Sequence, residues 1–407
     1  MLFSVSSWPT HYASMVPLGW ALGAGGHEVR VLCAPSQTDP VVRAGLRPVA
    51  VLDGMDVAVH NRMSYVREAL RGQWPYPWPP LHPLTGAVMS SLGDFDLAEY
   101  RRTVGREYAR RAARGHDRAV RFARRWRPDL VVHDPVSTEG PLAARELGVP
   151  SVLSLWGPVG THEADGPDIL AEDLSGSFER YGHGPFGADS VEYVIDPCPG
   201  ALEPPVRAAR LPVRFVPYNG GGVAPDWVDV PGRRPRIAVT WSTALTTMSG
   251  PASRVLPRIV SALAGLDAEV VLTGTADDVA SLGRVPERVR VLERCPLLAL
   301  LAHSDLVVHH GGSGSTMTAL AAGVPQLAVT FASEQARVAE RLSGTGAGRH
   351  LPGHLATGAA IRAAAEELLD GPGHHRAAWR LREDNLRRPT PVRLVDRLAQ
   401  LARPARR

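Results

Sequence analysis

Residues 305–316 read Asp305-Leu306-Val307-Val308-His309-His310-Gly311-Gly312-Ser313-Gly314-Ser315-Thr316. A short apolar run that ends in a glycine-rich turn predicts a buried parallel strand. The Ser and Thr after the turn predict the start of a helix. Glycine lets backbone approach a ligand closely, and the N–H groups and dipole of a helix N-terminus attract an anion. Gly312, Gly314, Ser315 and Thr316 are therefore candidates to hold a phosphate, and Ser315 and Thr316 also have the chemistry to cap the helix. His310 stands where its ring donates to the same group. The rival is a dinucleotide loop, Gly-x-Gly-x-x-Gly, for which Met317 occupies the third glycine position. Glu334 stands about 20 residues on, as that rival requires, but the first strand–helix turn, Trp8-Pro9-Thr10-His11, has no glycine.

The same alternation extends outward in both directions. Downstream of residue 232 strands are predicted at 237–240, 269–273, 289–292, 306–309 and 326–329, with helices at 254–264, 297–303 and 315–322. Upstream, strands are predicted at 2–5, 28–32, 130–132 and 151–155, with helices at 12–23, 97–125 and 140–147. Residues 157–187, rich in Gly, Asp, His and Glu, read as a mobile loop. Turn chemistry in Pro217-Tyr218-Asn219-Gly220-Gly221-Gly222, followed by Pro225, Pro231 and Gly232, marks a boundary. Two successive arrays of this kind predict an α/β chain of two doubly wound Rossmann-like domains facing across a cleft, with ligands at the carboxyl ends of the strands. A chain of 407 residues is long enough for both.

Composition removes several classes of chemistry. All 45 basic residues are arginine, so there is no Schiff-base or pyridoxal-phosphate lysine and no Walker lysine. The net charge is only +4, and the arginines of 101–127 read as the wet face of a helix, so no nucleic-acid partner is expected. Cys33, Cys198 and Cys295 are too few and too scattered for a disulfide framework or a zinc site. No signal peptide is recognised, and no apolar run reaches the ~20 residues of a membrane span. The expectation is a cytoplasmic protein with no membrane association.

A hydroxyl that attacks as a nucleophile in such a cleft needs a base beside it. His11 follows the first strand, and its ordinary pKa suits proton removal at neutral pH. Asp134, at the end of another strand, is placed to orient that imidazole. Asp94-Phe95-Asp96 has the form of a metal-binding Asp-x-Asp, but no strand precedes it and a capped helix start is the better reading, so no metal site is predicted. Trp74, Tyr76 and Trp78 lie in a proline-rich stretch that excludes helix; they are candidates to floor a pocket for a flat, apolar acceptor.

Residues 294–297, 309–316, 321–326 and 334–335 resemble the inverting glycosyltransferases of the UDP-glucuronosyltransferase-like superfamily, which have the GT-B fold. More narrowly, Phe215-Val216-Pro217-Tyr218-Asn219-Gly220, Pro225-Asp226-Trp227, Met15-Val16-Pro17-Leu18 and Leu155-Trp156-Gly157-Pro158 look like the branch that glycosylates macrolides and aromatic polyketides. The resemblance implies an acceptor domain over 1–216, a linker over 217–232, a nucleotide-sugar domain over 233–385, and a final helix over 386–407 that packs back on the first domain. It implies that His310, Gly314, Ser315 and Thr316 hold the β-phosphate, with Thr243 facing it from the other side. Arg294, in place of the family's base-stacking tryptophan, and Cys295 would hold the base; Glu334 and Gln335 would bond the sugar. Leu297, where enzymes that use UDP-glucose carry glutamine, favours a dTDP-deoxysugar over a UDP-sugar. His11 falls where the family places its base. The implied reaction is inverting transfer of a sugar to a hydrophobic polyketide-type product, with no cofactor and no metal. It is compatible with a homodimer and with the helper protein that some relatives need. The alternatives are a nucleotide-sugar oxidoreductase or epimerase, and an inactive partner protein of GT-B shape.

Overall fold

The computed structural model describes residues 1–8, 10–53, 56–164, 169–230, 232–241, 243–293 and 295–403, and the side chains of all of these except Thr243, Ala244, Thr246, Pro251, Ala252 and Glu293. Two parallel sheets form the frame. In the first, β1 (Leu2–Ser4), β2 (Arg30–Cys33), β3 (Pro48–Ala50), β4 (Val131–His133), β5 (Ser151–Ser154), β6 (Tyr193–Asp196) and β7 (Ala209–Pro212) take the order 3-2-1-4-5-6-7. In the second, β8 (Arg236–Thr240), β9 (Glu269–Gly274), β10 (Val289–Glu293), β11 (Leu306–His309), β12 (Gln326–Thr330) and β13 (Gly348–Pro352) take the order 10-9-8-11-12-13. Each order reverses once, between β1 and β4 and between β8 and β11. Ligands bind in α/β sheets at the carboxyl ends of such strands.

The central strands are buried on both faces, which is why they read as plain apolar runs. The strands outside the sequence reading are β3, β6, β7 and β13. Three of these, β3, β7 and β13, are sheet edges, and each contains a proline. Proline cannot donate to a ladder and is tolerated at an edge, where it also erases the sequence signal.

Two expectations are corrected. The helix predicted over 97–125 is two helices, Leu97–Arg102 and Val104–Trp126, broken at Thr103. There the Thr103 hydroxyl donates to the Glu99 carbonyl at 2.8 Å and competes with the helix ladder. The 157–187 loop is anchored at several points. It contains the short helix Ser177–Arg180, and Arg341 of the second half donates to both carboxylate oxygens of Glu163, at 2.8 and 2.6 Å. A Cβ on Gly157 would lie 2.7 Å from that of Ser313, so this loop rests directly on the glycine-rich turn.

Asn385 fastens the connection between the halves by bonding both the N–H and the carbonyl of Phe215, at 2.8 and 3.0 Å. The final helix, Pro391–Leu401, then buries Leu394, Val395 and Leu398 in the core of the first half, beside the Val16–Ala24 helix.

Candidate active site

The two sheets turn their carboxyl ends toward one cleft of about 240 Å³. His11 enters it from the turn after β1. Its Nδ1 lies 3.0 Å from Ser6 Oγ, and its ring stacks on Trp156 with centroids 4.2 Å apart. Burial depresses its pKa to about 3, with the charge of nearby His60 as a second cause. The imidazole is neutral at physiological pH, the form that accepts a proton.

Asp134 does not touch this ring. It is fully buried, and Ser6 stands between the two. The Ser6 N–H donates to Asp134 Oδ2 at 2.7 Å, and the Ser6 side chain also bonds that carboxylate. The N–H groups of Val136 and Ser137 donate to the other oxygen, both at 2.9 Å. Burial raises the Asp134 pKa to about 6, and these donors offset part of that rise. Nδ1 is the ring nitrogen of His11 that faces Ser6 Oγ, so Nε2 is the one left for a ligand. With the proton on Nδ1, Nε2 carries a lone pair.

Across the cleft, the two histidines of the glycine-rich turn have different environments. His309 Nδ1 accepts the Gly311 N–H at 3.0 Å, so its Nε2–H donates to Gln326 Oε1, also at 3.0 Å. It is buried and structural. His310 faces the cleft, its pKa lowered to about 4 by burial, and its buried Nδ1 has no hydrogen-bond partner among the described residues. The ring lies so close to Gly312 that a Cβ there would meet Nε2 at 2.6 Å and force the ring to shift.

The helix that follows is Ser313–Ala322, two residues longer at its start than expected, and its N-cap is Gly312. Neither Ser315 nor Thr316 caps it. The first-turn N–H groups of Ser313, Gly314 and Ser315 have no partner within the helix and belong to residues lining the cleft. Ser313 Oγ, also lining the cleft, is buried with no hydrogen-bond partner among the described residues. Thr316 lies elsewhere: it is fully buried, it is absent from the cleft wall, and its hydroxyl donates to the Gly312 carbonyl at 3.1 Å. Starting the helix at Ser313 turns Thr316 toward the core and puts Ser313 in the position expected of it.

Glu334 and Gln335 both line the cleft. Glu334 accepts the Trp156 indole N–H at 3.1 Å and Gln335 accepts the Phe331 N–H at 3.0 Å. The Cys295 side chain packs into the core around Val228 and Leu301. Arg294 and the Thr243 side chain lie outside the described residues. Asn219, from the connection, joins the wall and bonds Thr318 at 3.2 Å.

Trp74, Tyr76 and Trp78 are absent from the cleft wall. Tyr76 is buried and its hydroxyl donates to Thr330 Oγ1 at 3.0 Å. It stacks on Trp78, and both rings meet His354 edge-on. This cluster bridges the two halves; the aromatic side chain it delivers to the cleft is Tyr65, against which Trp74 packs. Within the first half, a separate chamber of about 330 Å³ lies between the Val57–Leu70 and Val104–Trp126 helices, lined by Met63, Tyr100, Tyr108 and Leu174 among others. His60 borders both this chamber and a smaller one that contains His11.

Ser6, Trp156, Asn219 and Ser313 are the site residues that sequence reasoning missed. Trp156 and Asn219 stood inside the motifs that carry the family resemblance, without a role attached; Ser6 and Ser313 were marked only by position, just past a strand end and at a helix start.

Two doubly wound halves with their strand ends facing one cleft, and a helix N-terminus aimed into it, are the architecture of the GT-B class, which the solved glycosyltransferase structures below share. The chain belongs to the erythromycin biosynthesis protein CIII-like family: residues 113–242 match the model of its N-terminal domain and residues 257–401 that of its C-terminal domain. It is 34% identical to aklavinone 7-beta-L-rhodosaminyltransferase of Streptomyces galilaeus, over 96% of this chain and 93% of that protein. It is also 34% identical to 10-deoxymethynolide desosaminyltransferase of Streptomyces venezuelae, over 98% of this chain and 96% of that one. Among solved structures, the glycosyltransferase SnogD of Streptomyces nogalater superposes with a TM-score of 0.74 at 33% identity, covering 99% of both chains. Spinosyn rhamnosyltransferase SpnG complexed with thymidine diphosphate gives 0.76 at 28% identity, covering 98% of this chain and 99% of that one. The protein is therefore an antibiotic-tailoring glycosyltransferase. Among the described residues no helix is long and apolar enough to cross a membrane.

Proposed function

We propose that the protein transfers a deoxysugar from a dTDP-activated donor to a hydroxyl of a hydrophobic polyketide aglycone, with inversion and without a metal. The observation that carries this reading is the opposition of His11 to the Ser313–Ala322 helix N-terminus across one cleft. The donor diphosphate sits on the N–H groups of Ser313, Gly314 and Ser315, with His310 and the Ser313 hydroxyl as added donors. Glu334 and Gln335 meet the sugar. The aglycone lies on the His11 side, where the chamber of about 330 Å³ in the first half sets Met63, Leu97, Tyr100, Tyr108 and Leu174 among the charged side chains of Asp56, Arg67, Arg101, Arg106 and Glu172.

His11 Nε2 takes the proton from the attacking hydroxyl as oxygen bonds to the anomeric carbon and the diphosphate leaves from the opposite face. Attack opposite the leaving group inverts the anomeric centre. The imidazolium that forms is stabilised through Ser6 by Asp134. Charge growing on the diphosphate meets the helix N-terminus, an electrostatic device that needs no cation. Among the described residues no group of three or more His, Cys, Asp or Glu is arranged to hold one. Relatives named for rhodosamine and desosamine transfer, and the thymidine diphosphate bound in SpnG, support the donor class.

The test is incubation with dTDP-6-deoxysugars and polyketide aglycones, with and without EDTA, followed by NMR of the product's anomeric centre. Inverted product formed at the same rate in EDTA supports the reading. Retained configuration, or a rate lost in EDTA and restored by Mg²⁺, overturns it.

A further inference from the structure

The segment that stacks on the base belongs to one half and is held by the other. Its last hydrogen bond to its own sheet is from the Leu155 N–H to the Ile195 carbonyl at 3.1 Å. The next to the first half is from the His162 N–H to the Pro205 carbonyl at 3.2 Å. Between them, among the described residues, the hydrogen bonds that leave the segment go to the Ser333–Gly344 helix of the second half. The Trp156 indole donates to Glu334 at 3.1 Å, and Arg341 Nη1 donates to the Pro158 carbonyl at 2.6 Å.

Glu334, Val338 and Arg341 have the i, i+4, i+7 spacing of one helix face. Val338 is fully buried, in the core cluster that contains Trp156 and Val159. Arg341 then reaches past Pro158 to Glu163, whose side chain is only 4% exposed. Its two terminal nitrogens donate to the two carboxylate oxygens, at 2.8 and 2.6 Å. The Gly160 N–H donates to the same carboxylate at 2.7 Å, so the loop closes on itself around the guanidinium.

Bidentate pairs between arginine and carboxylate are the geometrically strict ones, and burial removes the solvent that would let either partner stray. The pair therefore fixes where the loop lies on the helix. One rigid helix carries Glu334 at the cleft and Arg341 about 10 Å further along its axis. The loop it holds carries Trp156, whose ring lies 4.2 Å from that of His11. His11 and Glu334 are in different halves, and this helix is the element that ties their positions together.

We propose that Arg341 and Glu163 are positioning residues for the transfer, which hold the loop so that Trp156 keeps the His11 ring in register with the sugar. This rests on the reading of His11 as the base. Neither residue touches substrate; each acts through Pro158, Gly160 and the Trp156 ring. With the pair broken, Trp156 keeps its bond to Glu334 but loses the tie two residues on, and the imidazole loses the wall that sets its plane.

The test compares wild type with Arg341→Lys and Glu163→Gln. Lysine keeps the charge but cannot bond Pro158 and both Glu163 oxygens at once; glutamine keeps the shape and an acceptor for Gly160. Each protein is labelled with ¹³C-histidine, and the His11 Cε1–H resonance is assigned by its absence from His11→Ala. In wild type the stacked indole shifts that resonance upfield. Both variants are expected to lose much of this shift and to lower kcat about tenfold or more in the transfer assay above, the scale of one hydrogen bond to a charged group. Calorimetric dTDP affinity is expected to stay unchanged, because the glycine-rich turn is intact. A pair that only stabilises the fold would lower the melting temperature and leave the His11 resonance in place. The proposal is overturned if Arg341→Lys keeps the wild-type resonance, or if the resonance moves and kcat does not. Should Glu163→Gln fail to fold, Arg341→Lys decides alone. If wild type itself forms no product, the transferase reading fails and this inference falls with it; full turnover by Arg341→Lys beside an active wild type sinks this inference alone.

Discussion

The indole of Trp156 lies over the imidazole of His11, with ring centroids 4.2 Å apart and planes inclined by 20°. Trp156 comes from the loop after β5, and its N–H reaches Glu334 in the other half of the molecule. One side chain thus fixes the plane of the proposed base and the carboxyl proposed to meet the sugar. Trp156→Phe keeps a ring over His11 and removes the N–H. It is expected to lower kcat/KM by about tenfold, chiefly through donor KM, the effect of one hydrogen bond to a buried carboxyl. Steady-state kinetics at varied donor concentration check this; unchanged donor KM would separate Glu334 from sugar binding.

The Asp134–Ser6–His11 arrangement predicts a pH dependence. The Asp134 pKa is raised to about 6, so the carboxylate is charged above that pH and protonated below it. A protonated Asp134 no longer draws the Ser6 hydroxyl proton, and His11 loses its stabilising partner. Turnover is expected to fall as pH drops through about 6, one proton per molecule. His11 itself titrates near 3 and does not set this limb. Ser6→Ala is expected to lower the plateau by about tenfold and flatten the limb, while Ser6→Thr restores both. A limb unaltered in Ser6→Ala would show that the proton path does not run through Ser6.

Much of this was legible in the sequence, for local reasons. The buried central strands, the glycine-rich turn and the linker announce themselves within about a dozen residues each. The Ser6–Asp134 bond spans 128 positions and the Trp156–Glu334 bond 178, so they follow from strand order, which a single sequence does not contain. The Thr316 reading shifted for a smaller reason. The helix begins at Ser313 with Gly312 as its N-cap, two residues before the expected start, and the residues facing the cleft change with it. The proline-rich aromatics read as a ligand floor because buried packing and ligand packing demand the same residues.

The phosphate loop now predicts different consequences for neighbouring positions. His310→Ala and Ser313→Ala both remove a donor aimed into the cleft and are expected to weaken dTDP binding. The histidine change should cost about 2–4 kcal/mol in transition-state stabilisation. Thr316→Val is expected to leave dTDP affinity nearly unchanged and to cost about 1 kcal/mol of stability, since it deletes an internal hydrogen bond. Calorimetry and thermal melts on the three variants check this; a dTDP deficit confined to Thr316→Val would reverse the assignment.

Tyr76 holds the halves together through Thr330 and Ala332. Tyr76→Phe is expected to cost about 1 kcal/mol of stability and to leave acceptor KM unchanged. A raised acceptor KM at unchanged stability would return this aromatic cluster to the aglycone pocket.

The central claim is that His11 removes the acceptor proton while the diphosphate rests on the opposite half. Turnover by His11→Ala, measured beside its dTDP affinity, tests it most directly. The account predicts a loss of about two to four decades in kcat, the range for a general base, with dTDP affinity unchanged. Full turnover by His11→Ala would contradict it.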